Sequence, residues 1–249
     1  MKNERKDVVH TRTDCRLCGS TDLIEAFSFG KTPLANAYLS SDDLDKPELF
    51  APLIVNACNA CKLIQLRDVV DPKVLFSHYL YVSGTSPVFV AHFAEYAKNL
   101  IKRFSLSNDS LVIDIGSNDG TLLQQFKNAG TRVLGIDPAK NLAKEATARG
   151  IPTIAAFLSS DTAHTVVRKH GRAAVITANN TFGHINDVRS AVESIKRMLT
   201  PEGAFVFEVQ YLKDQIEQNI FDNVYHEHQC YFHLTPLVPF FDSMGLRVF

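Results

Sequence analysis

Two segments of the chain carry side chains suited to proton transfer. Tyr225–His228 places a phenol, a carboxyl group and two imidazoles side by side, and His184 adds an imidazole in a separate loop. If the first segment is extended, Tyr225 and Glu227 share one face and the two histidines share the other. A lone histidine is more often structural than catalytic, but this combination favours a function for the set. We interpret these residues as candidates for general acid–base chemistry.

Four cysteines form two pairs with the same spacing, Cys15 with Cys18 and Cys58 with Cys61. Two such turns can supply four thiolates, which is the closed tetrahedral donor set of structural zinc. Disulfides or unrelated buried thiols are the alternatives. A four-sulfur site leaves no open coordination position, so we expect the zinc to stabilise a small module rather than to react. The remaining cysteine, Cys230, is expected to be a half-buried free thiol.

The composition argues against nucleic-acid binding, secretion and a membrane span. The chain has 249 residues, 45% of them hydrophobic, and a net charge of −1, so no basic field indicates nucleic acid. Its first residues lack the apolar core of a signal peptide, and no apolar run approaches the ~18 residues of a membrane span. We therefore expect a cytoplasmic protein with reduced thiols, which favours metal over disulfides.

From residue 111 onwards the sequence alternates apolar strands with helices. Near-continuous apolar strands separated by helices predict an α/β fold with a parallel, Rossmann-like sheet covered on both faces. The expected strands are 111–115, 131–136, 151–156, 173–178, 204–209 and 230–234, and the expected helices are 121–128, 139–148, 187–199 and 237–244. Residues 246–249 resemble the start of a last strand, which suggests a fragment of a longer chain.

The loop after the first of these strands has the features of a nucleotide site. Gly116 and Gly120 allow a sharp turn at the carboxyl edge of the sheet, but Asn118 replaces the second glycine of a dinucleotide fingerprint. Asp137 ends the next strand, where an acid can bind both hydroxyls of a ribose. This combination favours S-adenosylmethionine over NAD, with another nucleotide as the alternative. The predicted cofactor-binding residues are Asp114, Gly116, Asn118, Gly120, Asp137, Pro138, Phe157 and Asn179.

These patterns predict four stretches. Residues 1–13 are a disordered lead, and 14–70 form the zinc-binding module. Residues 71–105 connect the two modules through an aromatic loop, 79–86, that could act as a lid, and through a helix with an apolar stripe from Phe89 to Phe104. Residues 106–249 form the cofactor-binding domain.

Taken together, the motifs resemble one family, the zinc-containing C-methyltransferases that act on nucleotide-linked deoxysugars. The motifs that carry the resemblance are the two cysteine pairs, Thr32–Asn36, Leu75–Tyr81, Ile115–Leu123, Gly135–Ala139, Ala178–Asn180 and Tyr225–His228. The resemblance covers residues from about 13 to 249. It implies a class I methyltransferase sheet, S-adenosylmethionine and zinc as cofactors, and a nucleotide-linked 4-keto sugar as the substrate. Members of this family also carry a further C-terminal α/β domain that helps enclose the sugar nucleotide, and we expect this domain to be missing here.

The resemblance also implies roles for the candidate catalytic residues. A base removes the proton from C3 beside the ketone, and the resulting enolate takes up a methyl group. By similarity, His228 is the base, Tyr225 and Glu227 orient it or the sugar, and Tyr79 and His184 stabilise the enolate oxygen.

Two alternatives stay open at this stage. The acceptor could be another small metabolite that is methylated on oxygen or nitrogen. The chain could also be a zinc-stabilised binding subunit that needs a partner to supply the missing domain.

Overall fold

The computed structural model describes residues 8–249 and divides into two compact units. The first, called the zinc unit here, contains residues 8–75, Gly183–Arg189 and Val209–Phe249, and the second, the sheet unit, contains Phe76–Phe182 and Ser190–Glu208. Two segments that the sequence pattern assigned to 106–249 thus group with the N-terminal residues. The predicted lead lies partly outside the described residues, and within it Val9–Thr11 form a strand.

The elements follow one another in this order. The strands are β1 (Val9–Thr11), β2 (Leu23–Pro33), β3 (Phe50–Cys58), β4 (Ile64–Leu66), β5 (Asp68–Val70), β6 (Leu111–Ile115), β7 (Arg132–Ile136), β8 (Thr153–Ile154), β9 (Ala173–Asn179), β10 (Leu199–Glu208) and β11 (Cys230–Tyr231). The helices are α1 (Pro72–Phe76), α2 (Pro87–Arg103), α3 (Thr121–Asn128), α4 (Lys140–Ala148), α5 (Ser160–His170), α6 (Val188–Met198), α7 (Leu212–Glu217) and α8 (Leu234–Ser243).

The zinc unit is built on antiparallel strands. Four of them form a sheet in the order β11-β4-β3-β2, and β1 pairs with β5 in a separate ribbon. Leu53, Val55, Leu66 and Tyr231 are buried together in one small core of this unit. A core of this size buries little apolar surface, so a bound metal is a plausible source of the remaining stability.

The sheet unit has five parallel strands in the order β10-β9-β6-β7-β8. All five residues of β6 are buried, as expected for a central strand covered on both faces. The carboxyl ends of β6, β7 and β9 therefore lie next to one another at one edge of the sheet, and the loops that follow them share that edge.

Helix α2 confirms the apolar stripe that the sequence predicts. Ser86 caps its N-terminus by accepting a hydrogen bond from the Phe89 amide, and Pro87 occupies the first turn. Phe93 and Leu100 are buried in the core of the sheet unit, where partly buried Phe89 and Phe104 pack against them.

Several features of the C-terminal part differ from the prediction. Residues 230–234 do not extend the parallel sheet, because Cys230 and Tyr231 pair antiparallel with Gln65 and Ile64 in the zinc unit. Residues 246–249 form no strand. Helices α5 and α7 were not predicted, and Cys230 is buried rather than half-buried. Within residues 8–249, no helix has the length and apolar character needed to span a membrane.

Candidate functional site

The two cysteine pairs sit on turns with the same backbone geometry. Gly19 and Lys62, each directly after the second cysteine of its pair, have positive φ angles of 74° and 72°. Their amides donate to the carbonyls of Cys15 and Cys58, both at 2.9 Å. Each turn is thus a metal knuckle, and the sequence predicts the first one through Gly19.

The four sulfurs fit a zinc ion. The Sγ atoms of Cys15 and Cys61 are 3.5 Å apart, those of Cys18 and Cys58 are 3.6 Å apart, and all four lie within 4.8 Å of one another. Zinc–sulfur bonds of about 2.3 Å in a tetrahedron require sulfurs roughly 3.8 Å apart. Because all four positions are thiolates, the ion would hold the two knuckles together and stabilise the unit without reacting.

The loop after β6 in the sheet unit adopts the conformation that a nucleotide site needs. Gly116, Asn118 and Gly120 all have positive φ. A Cβ atom on Gly116 would collide with the side chain of Thr181, so only glycine fits there. Asn118 tolerates the left-handed conformation because its short side chain can bond locally, and its Oδ1 accepts from the Ser83 amide at 2.9 Å.

Two buried polar atoms in this unit remain without a partner among the described residues, Ser117 Oγ and Asn179 Nδ2. Asn179 ends β9, and its Oδ1 accepts a hydrogen bond of 3.1 Å from the hydroxyl of Tyr96 in α2. These two groups lie at the carboxyl edge of the sheet and could each bond to a ligand. They fit a polar ligand such as S-adenosylmethionine.

The two acids of the cofactor loop are both buried. Thr177 donates to Asp114 Oδ1 at 2.6 Å, and burial raises the pKa of Asp114 to about 7. Asp137 accepts backbone hydrogen bonds from Asn118 at 2.7 Å and Ala139 at 2.8 Å. Burial also raises the pKa of Asp137, and the two backbone donors oppose this effect. A carboxylate has further lone pairs, so Asp137 can shape the loop and still accept from a ribose.

The other predicted cofactor residues and Tyr79 also belong to the sheet unit. Pro138 follows Asp137, and Phe157 exposes 37% of its surface before α5. The loop of Tyr79 is attached to α4, because Asn141 accepts from the Tyr79 amide at 3.4 Å and donates to its carbonyl at 3.0 Å. Tyr79 therefore belongs to the sheet unit, whereas the candidate histidines belong to the zinc unit.

The segment Tyr225–His228 is a turn, which corrects the expected strand alternation. The His228 amide donates to the Tyr225 carbonyl at 3.0 Å, and the ring centroids of the two side chains are 4.1 Å apart. The imidazole of His184 stacks on that of His228, with the ring centroids 5.1 Å apart. The structure thus joins His184, Tyr225 and His228 in one aromatic cluster of the zinc unit.

The protonation of His228 suits a base. Its Nδ1 lies 2.7 Å from the carbonyl oxygen of Asn223, so the neutral ring donates its proton there and keeps the Nε2 lone pair. Burial lowers the pKa of His228, although the Asn223 carbonyl opposes the shift. Burial, with a contribution from His228, lowers the pKa of His184 to about 3. Both imidazoles are therefore neutral near pH 7.

The other members of the turn have different surroundings. Glu227 is buried and accepts a hydrogen bond of 2.6 Å from Asn36 Nδ2. Burial and the nearby Glu227 raise the pKa of Tyr225, so its phenol remains a hydrogen-bond donor. His226 is buried, with Nε2 3.2 Å from the Ala51 carbonyl oxygen, in a structural position.

Sequence reasoning gave no role to several supporting residues. Asn36, Tyr96, Asn141 and Thr177 all orient a predicted site residue through a side-chain hydrogen bond. Each acts on a residue far away along the chain, so periodicity carries no signal for it. For Asn36 alone there was a hint, because it ends one of the motifs that carry the resemblance.

Comparison with known proteins divides the chain into an N-terminal and a C-terminal family match. Residues 15–76 match a family described as "Putative zinc binding domain", and residues 89–249 match one described as "Methyltransferase domain". The C-methyltransferase NovU of Streptomyces niveus is 38% identical over 243 residues, which cover 98% of this chain and 58% of NovU. The chain thus spans 58% of the length of that relative.

Solved structures are more distant. The plantazolicin methyltransferase BpumL, solved with a substrate analogue and SAH, is 15% identical, with a TM-score of 0.49 and coverage of 63% of each chain. An S-adenosylmethionine-dependent methyltransferase from Clostridium acetobutylicum is 12% identical, with a TM-score of 0.42 and coverage of 51% of this chain and 52% of that one. Both scores are low, and neither neighbour informs the assignment.

The cofactors follow from the two domains and from the residues described above. Zinc belongs to the four cysteines, and S-adenosylmethionine belongs to the methyltransferase sheet. On the family match and the relationship to NovU, this chain is a member of the S-adenosylmethionine-dependent methyltransferases that carry a zinc-binding domain ahead of the methyltransferase domain.

Proposed function

We propose that the protein transfers a methyl group to C3 of a nucleotide-linked 4-keto deoxysugar, by way of an enolate. The observation that carries this proposal is the imidazole of His228, whose Nδ1 lies 2.7 Å from the Asn223 carbonyl oxygen, so that the neutral ring has its lone pair on Nε2. A carbon next to a ketone is acidic enough for such a base. The similarity to a C-methyltransferase supports carbon as the acceptor atom.

In this mechanism His228 Nε2 takes the C3 proton. The electron pair of the C3–H bond forms the second C3–C4 bond, and the π pair of the ketone moves onto its oxygen. Tyr225, which keeps its phenolic proton, packs against His228 and orients it. Glu227, held by Asn36, fixes the turn or binds a sugar hydroxyl. Tyr79 and His184 are the proposed partners of the enolate oxygen.

The cofactor residues of the sheet unit have separate tasks. When bound, S-adenosylmethionine would supply an electrophilic methyl group, and its sulfur would keep the electron pair of the broken sulfur–methyl bond as the new C–C bond forms. Asp137 accepts from the ribose, Asp114 balances the charge of the methionine ammonium, and Asn179 offers its unsatisfied amide group. Gly116, Asn118 and Gly120 let the backbone approach the cofactor, and Pro138 and Phe157 line the adenosine.

The test is a transfer assay with S-adenosylmethionine labelled in its methyl group and a panel of nucleotide-linked 4-keto deoxysugars. The expected product carries label in a C–C bond, which survives acid hydrolysis of the glycoside and O-demethylating reagents. Label that is lost under these treatments would assign an O- or N-methyltransferase instead. The His228→Ala variant is the matched control, since it should retain cofactor binding.

Two further features belong to the proposal. A partner domain that helps enclose the sugar nucleotide is supported by the greater length of NovU. The assay should therefore also be run with the corresponding C-terminal part of NovU added in trans. A cytoplasmic location is supported by the four-cysteine cluster, because a reducing compartment keeps thiols available to the metal.

A further inference from the structure

One buried guanidinium in the zinc unit connects the metal knuckle to both histidine-bearing segments. Arg16 lies between the ligands Cys15 and Cys18 of the first knuckle, and only 3% of its surface is exposed. A buried charge is costly unless hydrogen bonds satisfy it, so its retention here requires specific partners.

The partners of Arg16 are neutral oxygens in three segments. Its Nη1 donates to the Leu66 carbonyl at 2.6 Å. Its Nη2 donates to Gln229 Oε1 at 2.8 Å, and its Nε donates to Asn186 Oδ1 at 3.1 Å. The rigid fork of a guanidinium fixes the directions of all these bonds together, which an ammonium cannot do.

Each of the two side-chain partners of Arg16 is close in sequence to one of the stacked histidines. Gln229 directly follows His228, and its Nε2 donates to the His226 carbonyl at 2.7 Å, which braces the turn. Asn186 lies two residues after His184. The Arg16 side chain thus hydrogen-bonds to both segments that carry the stacked imidazoles of His184 and His228.

We propose that Arg16 is a positioning residue that sets the stacking of His184 on His228 and links it to the zinc knuckle. The zinc then has a second effect besides stability, because an ordered knuckle holds the backbone that carries Arg16. The stacking can be measured directly, whereas the catalytic part of this inference rests on the proposed role of His228.

The first test compares Arg16→Lys with the wild type, since lysine keeps the charge and loses the fork. The readouts are the zinc content, the calorimetric affinity for S-adenosylmethionine, the ring-proton resonances of labelled histidines, and turnover with the substrate of the transfer assay. We expect unchanged zinc and cofactor binding and shifts of the His184 and His228 resonances. Turnover should be about 10- to 100-fold lower, by analogy with residues that orient metal ligands.

The matched control is Arg189→Lys. Arg189 also donates to the first knuckle, through the Leu17 carbonyl at 3.0 Å, but it bonds neither Asn186 nor Gln229 in the described structure. We expect its histidine resonances and turnover to remain those of the wild type. Arg16→Lys that binds zinc and shows wild-type resonances would overturn the proposal.

Two further variants test the hydrogen bonds of Arg16 to Gln229 and to Asn186 separately. They also test the positioning role if Arg16→Lys loses zinc or fails to fold. Gln229→Met should shift mainly the His228 resonances, and Asn186→Ala mainly those of His184. If both variants leave the resonances unchanged, Arg16 does not position the pair. A wild type without turnover would refute the proposed function, but the resonance shifts would still decide the positioning role.

Discussion

The imidazole rings of His184 and His228 stack with their centroids 5.1 Å apart and their planes inclined by 28°. Two stacked imidazolium ions would repel each other, and burial already disfavours the charged form of each ring. Both rings are therefore neutral near pH 7. A neutral imidazole is the form that the proposed role of His228 as a base requires.

The proposed base predicts a pH dependence and a loss of exchange. The value of kcat/KM should fall as pH drops through the pKa of His228, which burial places below the usual value of about 6.5. His228→Ala should lower turnover roughly 10²- to 10⁴-fold, the contribution of a positioned general base. Nuclear magnetic resonance in deuterated water should show C3 exchange with the wild type only.

The control for this experiment is His164→Ala, which removes an exposed imidazole from the sheet unit. It should exchange the C3 hydrogen like the wild type. If His228→Ala exchanges as fast as the wild type, another residue is the base, and His184 and Tyr79 are the next to test.

The lowered pKa of His184 predicts an acid-sensitive fold. The folded pKa is about 3 and the unfolded value is about 6.5, so between these values the unfolded chain binds more protons. Stability from this group is present above pH 6.5 and is lost as the pH falls towards 3. Urea unfolding at several pH values should show that the advantage of the wild type over His184→Gln shrinks below pH 6.5.

The comparison with His184→Gln is necessary because Asp114 has the opposite effect on the pH dependence of the free energy of unfolding. Its raised pKa stabilises the fold at low pH, and this contribution is lost as pH rises towards about 7. Asp114 is present in both proteins, so it cancels in the difference. A difference that does not depend on pH would contradict the burial of a neutral His184.

The buried carboxyl of Asp114 predicts proton release on cofactor binding. Burial raises its pKa to about 7, so at pH 6.5 much of this group is protonated in the free protein. A methionine ammonium nearby would favour the carboxylate and expel the proton. Calorimetric titration with S-adenosylmethionine in buffers of different ionisation enthalpy should detect this release.

Asp114→Asn should abolish the dependence on the buffer, and Asp109→Asn, at an exposed position, should preserve it. Binding by the wild type with the same heat in every buffer would mean that Asp114 does not ionise for the cofactor.

Metal removal should affect more than the N-terminal residues. We expect one zinc per chain, and Cys58→Ser or chelation should loosen β3 and β4 together with β11, because these strands share a sheet. Hydrogen exchange followed by mass spectrometry should show lost protection in all three strands and retained protection in β6. Elemental analysis that finds no zinc in protein purified without chelator would refute the site.

Local patterns predicted the sheet unit well, because its strands are short apolar runs with helices between them. The strand at Leu111–Ile115 and the helix at Thr121–Asn128 have the predicted bounds. Helix α5 was missed since only Ala163 and Val166 are buried on it, although Ser159, which caps its N-terminus, was a usable signal.

The strand pairing and the turn of the zinc unit could not be predicted from the sequence. Apolar character identified Cys230 and Tyr231 as strand residues, but it could not show that their partners are Gln65 and Ile64. The turn at Tyr225 was also hidden, because whether these four polar residues alternate or fold back depends on tertiary contacts. The sequence therefore supplied the residue types of the histidine cluster, and the structure supplied their arrangement.

The pairing of β11 with β4 has a consequence for synthesis of the chain. The whole sheet unit is encoded between these two strands, so a growing chain presents β2–β4 long before β11 leaves the ribosome. During that interval β4 is an open edge that other strands could join. The metal knuckle is complete once Cys61 has emerged, and zinc captured at that moment would keep the early strands in register until their last partner arrives.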